Sequence, residues 1–362
     1  MGDTTLRPRP CVAGATLYRP PLRDHAGLLL DFNENAQGPS PRVLERLQEL
    51  DSESLCRYPQ REPVERRVAD FFGLSPEQVL LTNGSDEAIC LLCRAYLAPG
   101  DRALVVVPGF AMYEREAASC GAEIVRVLAG PRFRFPTERL LERVTPTTRL
   151  IAVANPNNPT GTLAQPSDVL RLAAAAPQAA VLIDEAYAEF SYISLAREIG
   201  RVPNLFVART FSKAYGLAGL RVGALLGSVQ QLHPVRTLAL PYNVNAVALA
   251  CLPVAIEDEA YLRRCVSEVR WGRGLLRQEF RRLGIRTWRS EGNFVLAEFG
   301  SQAAAFVAAM SRRGVSVRDR SADPGCAGCV RITVGTTEQV LRALDAIAAS
   351  IDEIGMSEGV TS

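Results

Sequence analysis

Short apolar runs recur along the chain, separated by longer stretches in which apolar residues return every three or four positions. The runs lie at 79–81, 103–107, 123–128, 149–154, 180–183, 202–208 and 222–226. Each is short enough for a buried strand, and several are Val-, Ile- and Leu-rich. Helical patterns precede or separate them at 41–50, 63–72, 86–96 and 167–175, and a further one closes at Cys120 and Gly121. Gly73 follows the second of these as a stop signal. Ser85 reads as the cap of the third, with Asp86 and Glu87 in its first turn. Strands alternating with helices predict an α/β fold: a mostly parallel sheet with helices on both faces. Ligands of such sheets bind beyond the carboxyl ends of the strands.

Past residue 245 the pattern changes. Residues 245–284 read as one or two long helices, with arginines on the face opposite the apolar stripe. Short strands at 285–288, 294–298, 315–317 and 330–334, and helices at 303–312 and 337–354, predict a smaller α+β unit. The expected division is an N-terminal arm at 1–40, a large domain at 41–255 and a small C-terminal domain at 256–362. The first 27 residues are Pro- and Arg-rich and read as extended. The arm is expected to pack on the small domain or on a second copy of the chain.

The polar clusters fall where the strands end. TNGSDEA (82–88) joins a strand to a helix N-terminus, whose free N–H groups suit an anion. PGFAMYE (108–114) sets Phe110 and Tyr113 at the same edge, and NPNNPTG (155–161) is a rigid turn rich in side-chain amides. DEAY (184–187) ends a buried run. RTFSKAYGLAGLRVG (209–223) follows the last parallel strand and places Lys213 among small residues. A desolvated lysine has a lowered pKa and attacks carbonyls as a free amine. Ser212 precedes it and Arg221 follows, a set that suits a phosphate carrying an aldehyde. Arg318 and Arg331 end two strands of the small unit and can together hold a second anion.

Composition narrows the class. The chain has 362 residues, 48% apolar and 22% charged, with a net charge of +2 from 41 basic and 39 acidic residues. Nothing in that balance points to nucleic acid or an anionic membrane surface. No apolar run approaches the roughly 18 residues of a membrane span, and MGDTTLRPRP has no signal-like apolar core, so a cytoplasmic protein is expected. Nine cysteines, an odd number, read as reduced thiols rather than a disulfide framework. Cys90 and Cys93 sit in a helical pattern, and Cys326 and Cys329 in a Gly-rich turn. No metal is expected from them, since the pairs are far apart in sequence. The two histidines, His25 and His233, have no acid–nucleophile arrangement, and His233 before Pro234 reads as a helix-end residue.

NPTG, DEAY, SKAYGLAGLR and the Arg331 strand stand in the order and spacing of the fold-type-I pyridoxal-phosphate aminotransferases, and the chain resembles that superfamily from about residue 28 to 350. NENAQGPS, RYP, NGSDEA, PYNVN, VRDRS and VRITVGT make it most similar to the histidinol-phosphate aminotransferases within it. The resemblance implies an aspartate-aminotransferase-like large domain and pyridoxal 5′-phosphate as cofactor. It makes Lys213 the covalent anchor and general base, Asp184 the partner of the pyridine nitrogen, and Asn158 and Tyr187 the partners of the ring oxygen. Phe110 would stack on the ring, where many relatives have tyrosine. Ser85, Asp86, Thr210, Ser212 and Arg221 would surround the phosphate, joined by Tyr58 from the other subunit of a homodimer. Tyr18, Arg318 and Arg331 would hold the anionic group of the substrate. Glu34 and Asn35 would lie near the same mouth, although Ala36 replaces a frequent proline. The implied reaction passes the amino group of L-histidinol phosphate to 2-oxoglutarate, giving glutamate. Competing readings are an aromatic or secondary-metabolism aminotransferase, a threonine-phosphate decarboxylase, an inactive binding protein on the same fold, and a zinc or redox module built on the CxxC pairs.

Overall fold

The computed structural model describes residues 6–14, 17 and 27–356. Its main sheet has seven strands in the order Val79–Thr82, Gly223–Gly227, Leu205–Thr210, Ala180–Asp184, Thr148–Ala154, Arg102–Val107 and Glu123–Leu128. All neighbours are parallel except Gly223–Gly227, which runs against both of its partners. Val79–Thr82, Ala180–Asp184, Leu205–Thr210 and Gly223–Gly227 are buried at every position. That is the burial expected of strands covered by helices on both faces. Alternate residues serve the two layers: Val181, Ile183 and Val207 pack into one core, and Ala180, Leu182 and Phe206 into the other.

The helices follow their local signals, with two adjustments. Glu62–Phe72 stops at Gly73, whose φ of 68° lets its N–H reach Ala69 O and Asp70 O. The helix after TNGSDEA starts two residues earlier than expected. It spans Gly84–Tyr96 with Asn83 at the cap position, so Ser85 sits inside the first turn and does not cap it. Residues 245–284 form two helices, Ala246–Glu257 and Glu259–Arg282. Asp258 separates them and accepts the Tyr261 N–H at 3.1 Å, capping the second. His233, expected at a helix end, lies inside Val229–Leu238 on its exposed side.

A second sheet of four antiparallel strands runs Arg318–Asp319, Cys329–Thr333, Phe294–Glu298, Arg286–Thr287. The run expected as one strand at 315–317 is divided between two partners. Val315–Ser316 pairs in parallel with Leu28–Leu29, whereas Arg318–Asp319 joins Cys329–Thr333. The N-terminal segment is thereby stitched to the C-terminal part of the chain. Helices Ala303–Arg312 and Thr337–Glu353 cover this sheet through Phe306, Val340 and Ile347. Cys326 and Cys329 are buried beside Trp288 and Leu296, remote from the helix that carries Cys90 and Cys93.

Candidate active site

The parallel strands end at one edge, and the reversed strand Gly223–Gly227 begins there. That reversal brings Arg221 to the same edge as Thr82, Asp184 and Thr210. Beyond it lies a cleft of about 620 Å³, lined by Lys213, Asp184, Tyr187, Asn158, Ser85 and Asp86, and equally by Phe110, Thr210, Ser212, Arg221, Arg318 and Arg331. Two expected residues are not among them. Tyr18 lies outside the described residues, as does His25. Tyr58 is 78% exposed and stacks on Tyr242 with ring centroids 4.4 Å apart, away from this cleft.

Lys213 follows the Leu205–Thr210 strand, and its Nζ donates to Phe32 O at 2.9 Å. Burial lowers its pKa from 10.5 to about 8, and the nearby Arg331 guanidinium adds to the effect. A useful fraction of free amine is therefore present near neutral pH. Asp184 ends the neighbouring strand. Burial raises its carboxyl to about 6, while a hydrogen bond from the Tyr113 hydroxyl, 2.7 Å from Oδ2, opposes the rise. A buried carboxylate of this kind is complemented by a cationic ring nitrogen. Tyr187 is buried and its hydroxyl accepts from Asn33 Nδ2 at 2.9 Å.

The other wall is a cradle of backbone and glycine. Gly84 has φ +73°, and a Cβ there would stand 2.9 Å from Arg221 Nη2. A Cβ on Gly223 would stand 2.7 Å from Gly84 C and 2.8 Å from Ser85 N. Arg221 itself adopts φ 52°, a left-handed conformation unusual for arginine. It donates to Asp86 Oδ2 at 3.3 Å. Ser212 Oγ is buried without a hydrogen-bond partner. A helix N-terminus, an orphaned hydroxyl and a guanidinium around space that no side chain could fill form a phosphate-shaped cradle.

At the opposite end Arg331 is buried, its Nη1 on Asn158 Oδ1 and its Nη2 on Asp31 O, both at 2.5 Å. Arg318 is its cross-strand neighbour and lies over the Phe32 ring at 5.5 Å.

The family decides what this arrangement belongs to. The model of aminotransferase class I and II matches residues 26–347. The chain belongs to the class I and II aminotransferases. A histidinol-phosphate aminotransferase of Paracoccus denitrificans is 36% identical over 361 residues, 97% of this chain and 98% of that one. The fold is that of aspartate aminotransferase. An aspartate aminotransferase of Thermus thermophilus superposes with a TM-score of 0.78 at 22% identity, over 89% of this chain and 96% of that one. A histidinol-phosphate aminotransferase of Sinorhizobium meliloti, solved with pyridoxal-5′-phosphate, superposes with 0.88 at 23% identity, over 97% and 99%.

Several residues of this aminotransferase cleft emerge only from the three-dimensional arrangement. Tyr113 is visible in sequence as an aromatic three residues after Phe110, yet nothing there links it to Asp184. Asn33 joins Tyr187 to Thr333 by donating its backbone N–H to Thr333 Oγ1 at 3.0 Å. Arg320 and Asp323 also line the cleft. Arg209, buried beneath the strand ends, pairs with Glu185 and with Glu189. Glu185 and Glu189 stand four apart after the Ala180–Asp184 strand, and that spacing is the one clue the sequence offers to the network.

Proposed function

We propose that this aminotransferase uses pyridoxal 5′-phosphate to move the amino group of L-histidinol phosphate to 2-oxoglutarate, yielding imidazole-acetol phosphate and glutamate in histidine biosynthesis. The observation that carries the cofactor is the pairing of a partly buried Lys213, its pKa lowered to about 8, with the buried Asp184 in one cleft, beside the Gly84–Arg221 cradle. The choice of amine rests on the Paracoccus relative, similar over almost the whole chain, and on the paired Arg318 and Arg331 at the far end of the cleft.

The residues present fit the cofactor. Lys213 would supply the amine for its aldehyde, Asp184 would pair with its ring nitrogen, and Asn158 and Tyr187 would hold its ring oxygen. Phe110 would stack on the ring. Ser85, Asp86, Thr210, Ser212 and Arg221 would hold its phosphate. When bound, pyridoxal 5′-phosphate supplies a carbonyl that bonds amines reversibly and a ring that accepts electron density from the adjoining carbon. Asp184 would favour a positive charge on the ring nitrogen by offering a buried carboxylate. The Lys213 amine would take the proton from the amine-bearing carbon of the substrate and return it, a role its lowered pKa suits. Arg318 and Arg331 fix the far end of the substrate, so that this carbon stays within reach of Nζ.

The cleft is read as lying between a large domain at 41–255 and a small one at 256–362, with an arm at 1–40 that packs with the small domain or with a dimer partner. Leu28–Leu29 pairing with Val315–Ser316 supports that division. A homodimer is proposed from the exposed apolar group Leu55, Tyr58, Leu240 and Tyr242. Tyr58 would then reach the phosphate of the opposite subunit, and Tyr18 would belong to the substrate end. Nine free cysteines support a reducing, cytoplasmic setting. Among the described residues no helix is long and apolar enough to cross a membrane.

Purified protein supplied with the cofactor is to be assayed with 2-oxoglutarate and each of histidinol phosphate, phenylalanine and threonine phosphate. Histidinol phosphate is expected to give the highest kcat/KM. Negligible turnover of it beside good turnover of either rival overturns the substrate choice.

A further inference from the structure

The anion end of the cleft holds more than the Arg318 and Arg331 pair. Two residues beyond Arg318 the chain folds into a tight loop. Arg320 N–H donates to Cys329 O at 2.9 Å, Asp323 N–H to Arg320 O at 2.9 Å, and Cys326 N–H to Asp323 O at 3.0 Å. This loop lays the Asp323 carboxylate against the Arg320 guanidinium as an ion pair, with side-chain exposures of only 25% and 17%. Both residues line the cleft. Arg320 Nη2 sits on Asp323 Oδ2, while Arg320 Nε is buried without a hydrogen-bond partner. Arg331 Nε is likewise buried and unpartnered. Buried donors of this kind carry a cost until an acceptor meets them.

The three arginines are not equivalent. Arg331 is fixed by Asn158 and Asp31, and Arg318 rests on Phe32. Arg320 has a counter-ion of its own, so the pair adds donors to the cleft without adding net charge. A transamination of the proposed kind seats two anions in turn at this end. One is a phosphate monoester, with close to two negative charges and three terminal oxygens. The other is a carboxylate, with one charge and two oxygens. Arg318 and Arg331 suffice for the carboxylate. A phosphate leaves one oxygen over.

We propose that Arg320, positioned by Asp323, is the contact that takes the third oxygen of a phosphate monoester and so sets the preference of this cleft for phosphate over carboxylate. The guanidinium has five donors. It can keep one arm on Asp323 and turn another to the ligand, so the carboxylate is never left buried alone. Asp323 has a second effect. By balancing Arg320 it keeps a singly charged carboxylate from binding too tightly to leave, which a site serving two substrates in succession requires. The inference rests on the functional reading above, and its test separates the two.

The test compares wild type with R320Q/D323N, which removes both charges together and strands neither. With histidinol phosphate, kcat/KM is expected to fall by about tenfold, mainly through KM, the loss of one charge-assisted hydrogen bond. The same constant for 2-oxoglutarate is expected to stay within about twofold. D323N alone is expected to lower the KM for 2-oxoglutarate, because Arg320 is then unbalanced. R320K, which keeps the charge and loses the fork, should fall between wild type and the double variant, and it serves if the double variant does not fold. Calorimetric titration with inorganic phosphate and with acetate repeats the comparison without turnover. The phosphate affinity should drop by about tenfold while that for acetate holds. Equal losses for the two anions, or none for phosphate, overturn the role of Arg320. Wild type that ignores histidinol phosphate, with the phosphate-selective loss still seen in the double variant, overturns the substrate assignment and leaves the Arg320 contact standing.

Discussion

Lys213→Met in the cofactor-free protein should make the chain more stable, by an amount that depends on pH. Burial holds the amine at about 8 against its ordinary 10.5. At 1.36 kcal/mol for each tenfold step in proton affinity, the charged form is disfavoured in the fold by about 3 kcal/mol. At pH 7 the lysine is charged whether the chain is folded or not, so the whole penalty opposes folding. Between about 8 and 10.5 the unfolded chain holds more protons than the folded one. Stability therefore rises with pH across that window, and by pH 10 the penalty has shrunk to about 1 kcal/mol. Methionine fills a similar volume without charge. It gives up the donor to Phe32 O, which costs about 1 kcal/mol. The expected gain is about 2 kcal/mol at pH 7 and close to nothing at pH 10. Urea unfolding followed by circular dichroism at the two pH values measures it, and the pH 7 midpoint should move up by roughly half a molar. Turnover should be lost altogether. A methionine variant no more stable than wild type at pH 7, or a gain that does not change with pH, refutes the view of Lys213 as a charge held in the fold at a cost.

Gly84→Ala should weaken cofactor binding by about tenfold or more, since the new methyl meets Arg221 and the residue must hold a left-handed φ; fluorescence titration with pyridoxal 5′-phosphate checks it, and unchanged affinity would remove Gly84 from the cradle. Tyr113→Phe takes away the hydrogen bond that opposes the rise in the Asp184 pKa, so the acid limb of the kcat/KM profile should move to higher pH by about half a unit to one unit. Arg209→Met leaves Glu185 and Glu189 buried side by side, which should cost about 3–5 kcal/mol near neutral pH and less in acid, where the carboxylates can take up protons; thermal unfolding at pH 5 and 7.5 is the measurement.

Much of the main sheet could be read from apolar runs alone. Glu123–Leu128 has the expected bounds, and the others differ by a few residues at their ends. Buried strands announce themselves because both faces must be apolar. The direction of Gly223–Gly227 could not be read, because a fully buried strand looks the same whichever way it runs. The strand break after Ser316 was equally hidden. It is set by partners at Leu28–Leu29 and Cys329–Thr333, near and far along the chain. Residues gathered at strand ends could be picked out, since glycine, asparagine and charge cluster there against an apolar background. Asn33, Arg320 and Asp323 escaped, and Tyr113 was legible at the edge without its link to Asp184, because each acts through a partner that the sequence places elsewhere or leaves ambiguous. VRDRSAD reads as a strand end carrying Arg318, and only the folded loop closes Asp323 onto Arg320.

The short segment 31–35 touches nearly every working part of the cleft. Asp31 O holds Arg331, Phe32 O holds Lys213, Asn33 holds Tyr187 and Thr333, and Asn35 holds Ala214 O. Its partners lie 154 to 300 residues further along the chain. During synthesis this segment leaves the ribosome early and then has nothing to bind. The main sheet can assemble once residue 227 has emerged, but the amine is seated only against a segment that is also tied to Arg331 and Thr333. Local pieces thus form first and the longest-range ties close last. A nascent chain cut short before residue 331 could own a complete main sheet and still have no finished active site.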